Sequence, residues 1–342
     1  MDVTEVSFPK LGIHMNIDSV AFKLFGIEVY WYGVIIALGI VACVALAMYH
    51  CKANKFSTDL VADVILVVLP CAIVGARLYY VACEWDSYKK DLKSIFDTRS
   101  GGLAVYGGIL AALLGIFIMC KIRKIPFSAI LDFGIPYLAL GQAIGRWGNF
   151  FNQEAFGTNT TLPWGMTSPK VVSYLRSYCP DLDSNVPVHP TFLYESIVNL
   201  ILFFILLQVR KRSKHNYEPT CVYLIVYGAA RFFIEGLRTD SLYLGNTNIR
   251  TSQLLSLILV VIGIVYIVYA HLKNVERTYI PERFLVQKEK AEATEETVET
   301  EEAEGTEETV ETEEVTSEQD PSEEASEDKA EDVPEDDNNP EV

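Results

Sequence analysis

The residues VYWYGVIIALGIVACVALAMY, at positions 29–49, form an uninterrupted apolar run without a charged side chain. About 20 such residues in a helix cross the roughly 30 Å of hydrocarbon in a bilayer. Comparable runs recur at 61–81, 103–120, 127–145, 192–209, 220–237 and 251–270. One run would be compatible with a buried helix of a soluble protein, but seven are typical of a membrane protein. The sequence therefore predicts an all-α polytopic membrane protein with seven transmembrane helices.

The acidity of the chain is concentrated in its C-terminal segment. The net charge is −17, yet residues 291–342 hold 24 of the 45 acidic residues and only one of the 28 basic ones, which leaves the preceding part basic. This segment also repeats EETVETEE at 295–302 and 307–314. An acidic segment without aromatic residues buries too little apolar surface to fold. We expect a disordered acidic tail at 291–342, interpreted as a solvated extension rather than a binding element.

The short loops predict how the chain is oriented. Basic residues are concentrated at 50–59, 121–124 and 210–215, whereas the longer loop at 84–99 balances acids and bases. Because Lys and Arg prefer cytoplasmic loops, we expect an external N-terminus and a cytoplasmic C-terminus. Residues 1–13 lack the pattern of a cleavable signal peptide, so the first span is expected to direct insertion.

The predicted organisation has four parts. They are an external N-terminal segment at 1–28, a transmembrane domain at 29–272 with an external loop at 146–190, a juxtamembrane basic segment at 273–290, and the tail at 291–342.

Cysteines and histidines are scattered along the chain. The seven cysteines form no Cys-x-x-Cys pair, and the five histidines are dispersed, so neither a disulfide framework nor a metal site is predicted. A phosphate-binding loop of the GxxxxGK[ST] type is absent from the sequence. No metal or cofactor is therefore expected, and nucleic acid is not expected as a partner.

Polar side chains are predicted to gather at the external ends of six spans. They are Tyr32, Arg77, Tyr106, Arg146, Glu195, Arg231 and Glu235. Arg231 and Glu235 lie four residues apart and can pair on one helical face, which Arg238 continues. A structural ion pair is one interpretation. The arginines expected at this level, Arg77, Arg146, Arg231 and Arg238, outnumber the acids there. Because ionisable groups within spans are usually functional and guanidinium groups match phosphate oxygens, this excess favours a phospholipid head-group site. For Asp63 and Asp132, nearer the cytoplasm, a packing or capping role is expected.

Four motifs contain most of these residues. They are GGLAVYGG at 101–108, GRWGNFFNQEAFG at 145–157, HPTFLYE at 189–195 and YGAARFFIE at 227–235. Glycines permit tight bends, and Asn and Glu supply directional hydrogen bonds, so 145–157 is expected to open a loop that covers a site. Paired glycines at 101–108 favour close helix packing.

These motifs, together with WYG at 31–33 and in this order on seven spans, resemble those of bacterial prolipoprotein diacylglyceryl transferases. The resemblance extends over about Gly26 to Leu272 and implies that 29–272 is a catalytic domain. It implies transfer of a diacylglyceryl group from phosphatidylglycerol to the lipobox cysteine thiol of a prolipoprotein, the first step of lipoprotein maturation. The partners are then the membrane, phosphatidylglycerol and lipobox peptides, and the reaction takes place at the outer face of the bacterial inner membrane.

The resemblance also implies roles for individual residues. Arg146 matches the arginine that binds phosphatidylglycerol, and the other matching positions are Tyr32, Asn149, Glu154, Gly157, Arg231 and Glu235. We expect Arg146 and Arg231 to hold the phosphate, and Glu154 and Glu235 to orient the arginines or the glycerol hydroxyls. Arg238 and His189 are further candidates for substrate binding.

The general base is left open by the sequence. Tyr106 stands where many family members have a histidine that has been proposed as the base. The unperturbed pKa of tyrosine is about 10 and that of cysteine about 8.5, so Tyr106 would need a lowered pKa. The alternatives are His189, Glu154, or a thiol ionised by the arginines alone, which we favour slightly.

Two other functions compete with the transferase. A secondary transporter of a small anion would need polar residues through both leaflets and repeat symmetry, and the sequence has neither. A non-catalytic lipid-binding scaffold is the second alternative.

Overall fold

The computed structural model describes residues 3–53, 56–97, 101–245 and 247–278. Seven helices in this part are long and apolar enough to cross a membrane, as predicted. The helices are α1 (Trp31–Ala53), α2 (Thr58–Cys83), α3 (Trp85–Tyr88), α4 (Val105–Arg123), α5 (Phe127–Asn152), α6 (Pro169–Tyr178), α7 (Thr191–Arg212), α8 (Glu218–Leu237) and α9 (Thr251–Leu272), of which α3 and α6 are the short ones. The predicted tail at 291–342 and most of the basic segment at 273–290 lie outside the described residues.

Two β-hairpins precede the first membrane helix, so the all-α prediction was incomplete. β1 (Thr4–Phe8) pairs with β2 (Ile13–Ile17), and β3 (Val20–Leu24) pairs with β4 (Ile27–Tyr30), both antiparallel. Each strand has only four or five residues, which is too short for an alternating pattern to stand out in the sequence.

The first hairpin belongs to a small lobe that also contains the end of α5, the start of α7 and the segment between them. Ser7 and Thr167 exchange two backbone hydrogen bonds of 2.9 Å. Val6, Phe8 and Ile17 of the hairpin pack in one buried apolar cluster with residues of the later segment. Those residues are Phe150, Phe156, Met166, Val171, Leu175, Val188 and Phe192. The lobe therefore joins two parts of the chain that are distant in sequence.

Glycines bring α2 and α4 unusually close together. A Cβ atom added to Gly75 would lie 2.7 Å from the carbonyl oxygen of Gly107, and one added to Gly107 would lie 2.2 Å from the Cβ of Tyr79. No side chain fits at these distances, so the two helix backbones are in direct contact. The close packing predicted for the glycines at 101–108 is confirmed.

The middle of the bundle is formed by α5, which packs against α1, α7 and α8. Asp132 of α5 accepts hydrogen bonds from the backbone nitrogen of Tyr217 at 2.8 Å and the hydroxyl of Thr220 at 2.7 Å. These donors belong to the start of α8, where free backbone N–H groups need acceptors. The capping role expected for Asp132 is confirmed, while Asp63 forms an ion pair with Arg123 that joins α2 to α4.

Candidate active site

Glu195 lies at the centre of a cluster of three arginines from two other segments. It sits in the first turns of α7 and is 2% exposed. Its Oε2 lies 2.6 Å from Nη2 of Arg146 on α5, and its Oε1 lies 2.6 Å from Nη1 of Arg231 on α8. Arg238, at the end of α8, places Nη1 3.8 Å from the same Oε1. We call Arg146, Arg231 and Arg238 the arginine cluster; Glu195 holds it together.

Two further carboxylates balance the arginine cluster. Glu235 pairs with Arg231, Oε2 to Nη2 at 2.5 Å, one helical turn away on α8. Asp240 accepts two hydrogen bonds from Arg238, at 2.8 Å from Nε and 2.6 Å from Nη2. Burial raises the pKa of Asp240, but the hydrogen bonds and charge of Arg238 outweigh it, so the pKa lies below its usual value.

The sequence led us to expect more arginines than acids at this level, and that expectation was wrong. The three arginines of the cluster are matched by Glu195, Glu235 and Asp240. An arginine carries five N–H donors, so those not used by carboxylates can bind an additional anion. The carboxylates therefore hold the guanidinium groups in fixed positions without exhausting their donors.

Arg77, the fourth arginine in that expectation, has a structural role instead. Within the described residues, all of its hydrogen bonds go to backbone carbonyl oxygens, in the segments 94–97 and 101–102. Nε donates to Ile95, Nη1 to Gly101 and Gly102, and Nη2 to Ser94 and Asp97, at 2.7–3.0 Å. Since these five bonds use every N–H of the side chain, Arg77 fixes the connection between α2 and α4 and has no donor left for a phosphate.

The motif at 145–157 begins as helix and not as loop. Helix α5 continues to Asn152, so Arg146 and Asn149 lie one turn apart on the same helical face. Nη1 of Arg146 lies 3.4 Å from Oδ1 of Asn149, and Nδ2 of Asn149 donates to Oε1 of Glu154 at 2.9 Å. Nδ2 of Asn152 reaches the same oxygen at 3.3 Å. Polar contacts therefore connect Arg146 to the exposed carboxylate of Glu154.

The backbone around Glu154 is strained. Gln153 and Ala155 both have positive φ, at 55° and 56°, a conformation that non-glycine residues seldom adopt. Backbone hydrogen bonds to Phe150 and Asn149 end the helix at this point. Left-handed residues on both sides turn the chain sharply and present Glu154 at the surface; such strain is characteristic of functional sites.

Gly157 connects the arginine cluster to the start of α7. Its N–H donates to the carbonyl oxygen of His189 at 2.9 Å, and the residue forms a β-bridge with Arg238. A Cβ atom at Gly157 would lie 2.8 Å from the Cβ of His189 and 3.0 Å from the carbonyl oxygen of Leu237. Only glycine fits between these two segments, so Gly157 determines how closely Arg238 approaches Glu195.

Tyr32 lies beside the motif on α5. A Cβ atom added to Gly148 would be 2.6 Å from Cδ2 of Tyr32, which places the tyrosine ring directly on that glycine. The neighbouring Trp31 stacks on Phe151 with ring centroids 5.2 Å apart. The start of α1 is thus packed against the end of α5, and Tyr32 remains 40% exposed.

His189 lies at the edge of the site in a chain of hydrogen bonds. Nε1 of Trp164 donates to the hydroxyl of Tyr194 at 2.8 Å, and that hydroxyl lies 3.1 Å from Nδ1 of His189. If the hydroxyl accepts from Trp164 and donates to His189, Nδ1 is the acceptor and the ring proton lies on Nε2. Burial lowers the pKa of His189, which favours the neutral ring.

Tyr106 is not brought into this site. It lies at the start of α4, 41% exposed, and α4 packs mainly against α2. Among the described residues, no hydrogen bond, ion pair or ring contact connects Tyr106 with the arginine cluster. Of the candidates from the sequence, Arg146, Arg231, Glu235 and Arg238 come together directly, and the others except Tyr106 border them.

Three residues of the site had no role assigned from the sequence. Glu195 ends the motif at 189–195, and the sequence predicted it at the same end of the spans as the arginines. Its position between the arginines depends on how α5, α7 and α8 pack, which the sequence does not show. Asp240 follows α8 in a connecting segment, where an acidic residue is unremarkable. Arg250 precedes α9 and donates to the carbonyl oxygen of Glu235, a contact without a sequence signal.

The sequence matches the model of a family described as prolipoprotein diacylglyceryl transferase over residues 19–269. It is similar to proteins named phosphatidylglycerol–prolipoprotein diacylglyceryl transferase. The protein from Finegoldia magna is 47% identical over 249 residues, which cover 72% of this chain and 94% of the relative. Those from Clostridium botulinum (strain 657) and Clostridioides difficile are 42% and 41% identical, covering 75% of this chain and 100% and 97% of the relatives.

Proposed function

The chain belongs to the prolipoprotein diacylglyceryl transferase family, and we propose that it transfers the diacylglyceryl group of phosphatidylglycerol to the thiol of a prolipoprotein's lipobox cysteine. This is the first step of bacterial lipoprotein maturation. The observation that carries the proposal is the arginine cluster around Glu195, because the reaction requires a site that binds a phosphodiester at the membrane interface.

In the proposed complex, Arg146 and Arg231 hold the phosphate of phosphatidylglycerol. Glu195 lies 2.6 Å from both guanidinium groups, which supports this assignment because it fixes them side by side. Glu235 and Asp240 orient Arg231 and Arg238 in the same way. Donors that are already oriented need little reorganisation when charge develops on the leaving group. Glu195 is therefore a positioning residue in this proposal.

The chemical step is displacement at carbon. The cysteine sulfur attacks the glycerol carbon of the diacylglyceryl group that carries the phosphate, and a carbon–sulfur bond forms as the carbon–oxygen bond breaks. Glycerol phosphate leaves with the electron pair of the broken bond and one more negative charge than the bound diester. The arginine cluster stabilises that additional charge. It therefore binds the transition state more tightly than the bound lipid, and this difference lowers the activation barrier.

We propose Glu154 as the first acceptor of the thiol proton. Its carboxylate is exposed and is connected to Arg146 through Asn149, which supports a position beside the phosphate. Among the described residues Tyr106 makes no hydrogen bond or ring contact with the cluster, and Nδ1 of His189 lies 3.1 Å from the hydroxyl of Tyr194. Proton transfer from a thiol to a carboxylate is unfavourable by about 4 pKa units, so thiolate stabilisation by the arginines has to accompany it.

We further propose that residues 29–272 form the catalytic domain and that the arginine cluster faces the external side of the bacterial inner membrane. The basic residues at 121–124 and 210–215 lie in or just after the last turns of α4 and α7, and Glu195 lies at the other end of α7. This supports a cytoplasmic location for the C-terminal ends of both helices.

The test is transfer of labelled diacylglycerol from phosphatidylglycerol to a synthetic lipobox peptide by the purified protein. Arg146→Ala should lower the rate about 100-fold or more, the effect of removing one donor to a developing oxyanion. Arg176→Ala, which removes an exposed arginine from α6, is the matched control and should retain the parental rate. A parent protein inactive with both substrates, or an Arg146→Ala variant at the parental rate, would contradict the proposal.

A pH profile tests the assignment of Glu154. Glu154→Gln should be slow at pH 7 and approach the parental rate above about pH 8.5, where the thiol ionises without a base. A deficit that is constant with pH would assign Glu154 to binding instead of proton transfer.

A further inference from the structure

The second hairpin, formed by β3 and β4, has one apolar and one polar face. Phe22 pairs with Val29, and Leu24 pairs with Ile27, so these four side chains lie on the same face. Lys23 pairs with Glu28 on the opposite face, where Nζ and Oε1 form an ion pair of 2.8 Å. The hairpin is therefore an amphipathic ribbon.

The apolar face of this ribbon is uncovered. Phe22, Leu24 and Ile27 are 51%, 52% and 49% exposed, and Phe25 at the tip is 95% exposed. Within the described part of the chain, the hairpin contacts chiefly the beginning of α1. A two-stranded hairpin is marginally stable by itself in water, and three exposed apolar side chains on one face with a fourth at the tip form a binding surface.

The position of the hairpin determines what covers this face. β4 ends at Tyr30 and α1 begins at Trp31, without an intervening loop. The backbone N–H of Trp31 also donates to the carbonyl oxygen of Ser19 at 2.9 Å, which fixes the base of the hairpin at the first residue of the membrane helix. Side chains along α1, such as Leu38 and Val41, are 61% and 64% exposed on the surface that lies in lipid. The hairpin is thus joined without a loop to a helix that exposes apolar side chains to lipid.

We propose that the β3–β4 hairpin inserts into the bilayer interface, with Phe22, Leu24, Phe25 and Ile27 in contact with the acyl chains of one leaflet. Lys23 and Glu28 point toward the head groups and water. Four residues of strand extend about 13 Å, so the tip can reach well away from α1 while remaining at the depth set by Trp31. Lipid is the partner, since an amphipathic element held at the interface buries its apolar face in the leaflet.

The inserted hairpin would also fix the depth of the start of α1. Trp31 and Tyr32, which follow the hairpin directly, pack on Phe151 and Gly148 of α5. A hairpin anchored in lipid would therefore hold the end of α5 at a constant level in the membrane.

Fluorescence of single added tryptophans tests the insertion. Phe25→Trp and Leu24→Trp report on the tip and the apolar face, and Lys23→Trp is the matched control on the polar face. Each variant is reconstituted as the full chain in phosphatidylglycerol and phosphatidylethanolamine vesicles, with or without acyl-brominated lipid, and the emission of the parent, which has four tryptophans, is subtracted.

We expect the tryptophans at 24 and 25 to emit at shorter wavelength than the one at 23, to be quenched by brominated lipid and to be shielded from aqueous acrylamide. The tryptophan at 23 should be quenched by acrylamide. Quenching of positions 24 and 25 by acrylamide alone would overturn the proposal. Shielding of both from acrylamide and from brominated lipid would also overturn it, because a protein surface or a second copy of the chain would then cover the face.

Discussion

Replacement of Gly157 by alanine tests whether the approach of Arg238 to the site depends on this one residue. The new Cβ would lie 2.8 Å from the Cβ of His189 and 3.0 Å from the carbonyl oxygen of Leu237. Comfortable contacts between such atoms are about 3.5–4.0 Å, so one segment has to move by roughly 0.5–1 Å. Overpacking of this kind lowers the free energy of unfolding by about 1–3 kcal/mol.

The effect on activity should exceed the effect on stability. Leu237 directly precedes Arg238, so displacement of its carbonyl carries the guanidinium group away from Glu195. A misplacement of about 1 Å at a catalytic site can lower a rate about 100-fold. We therefore expect Gly157→Ala to lower the transfer rate to the lipobox peptide at least tenfold, with a modestly lower melting temperature.

The matched control is Gly134→Ala on α5, where an added Cβ meets no atom within 4 Å. This variant should retain the parental rate and be as stable as the parent or slightly more so, since alanine is the better helix former. The reasoning is refuted if Gly157→Ala keeps the parental rate and melting temperature. A lower melting temperature with an unchanged rate would show that Gly157 serves stability but does not position Arg238.

Four further outcomes are expected. Glu195→Gln removes the carboxylate from between two arginines and should lower the free energy of unfolding by about 3–5 kcal/mol in thermal denaturation, whereas an unchanged melting temperature would contradict its central position. Tyr106→Phe should retain near-parental transfer activity in the lipobox-peptide assay, and a large loss would bring the phenol back as a candidate base. Arg77→Met should leave residues 94–102 more susceptible to limited proteolysis, because it removes all five hydrogen bonds to their carbonyl groups. Because burial lowers the pKa of His189, the unfolded chain binds a proton first as the pH falls below about 6.5; the melting temperature should therefore fall between pH 7.5 and 5.5, and less so in His189→Gln.

The transmembrane helices and the depth of the polar residues along them could be predicted from the sequence, because the lipid bilayer strongly restricts the length of a span and the position of charged side chains within it. A run such as 29–49 has few alternatives to a transmembrane helix, and Arg231 and Glu235 must share a helical face. The four-residue spacing therefore predicted the ion pair between Arg231 and Glu235, in which Nη2 and Oε2 are 2.5 Å apart.

Contacts between helices could not be predicted in the same way. Arg77 and Arg146 look equivalent in the sequence, since each is an arginine near one end of a span. Their roles differ because Arg77 faces the carbonyl groups of its own connecting segment, whereas Arg146 faces Glu195 of another helix. The predicted excess of positive charge was wrong for the same reason, because Asp240 and Glu195 approach the arginines only in the folded bundle.

The pair of hydrogen bonds between Ser7 and Thr167 has a consequence for biosynthesis. Ser7 emerges from the ribosome long before Thr167, and four of the membrane helices lie between them in the chain. Until residues beyond 167 are made, Val6 and Phe8 lack four of the seven later apolar residues of their cluster, namely Val171, Leu175, Val188 and Phe192. The segment around Ser7 is therefore made early but is among the last to acquire its native contacts, and nascent chains arrested before α6 should expose it to added protease.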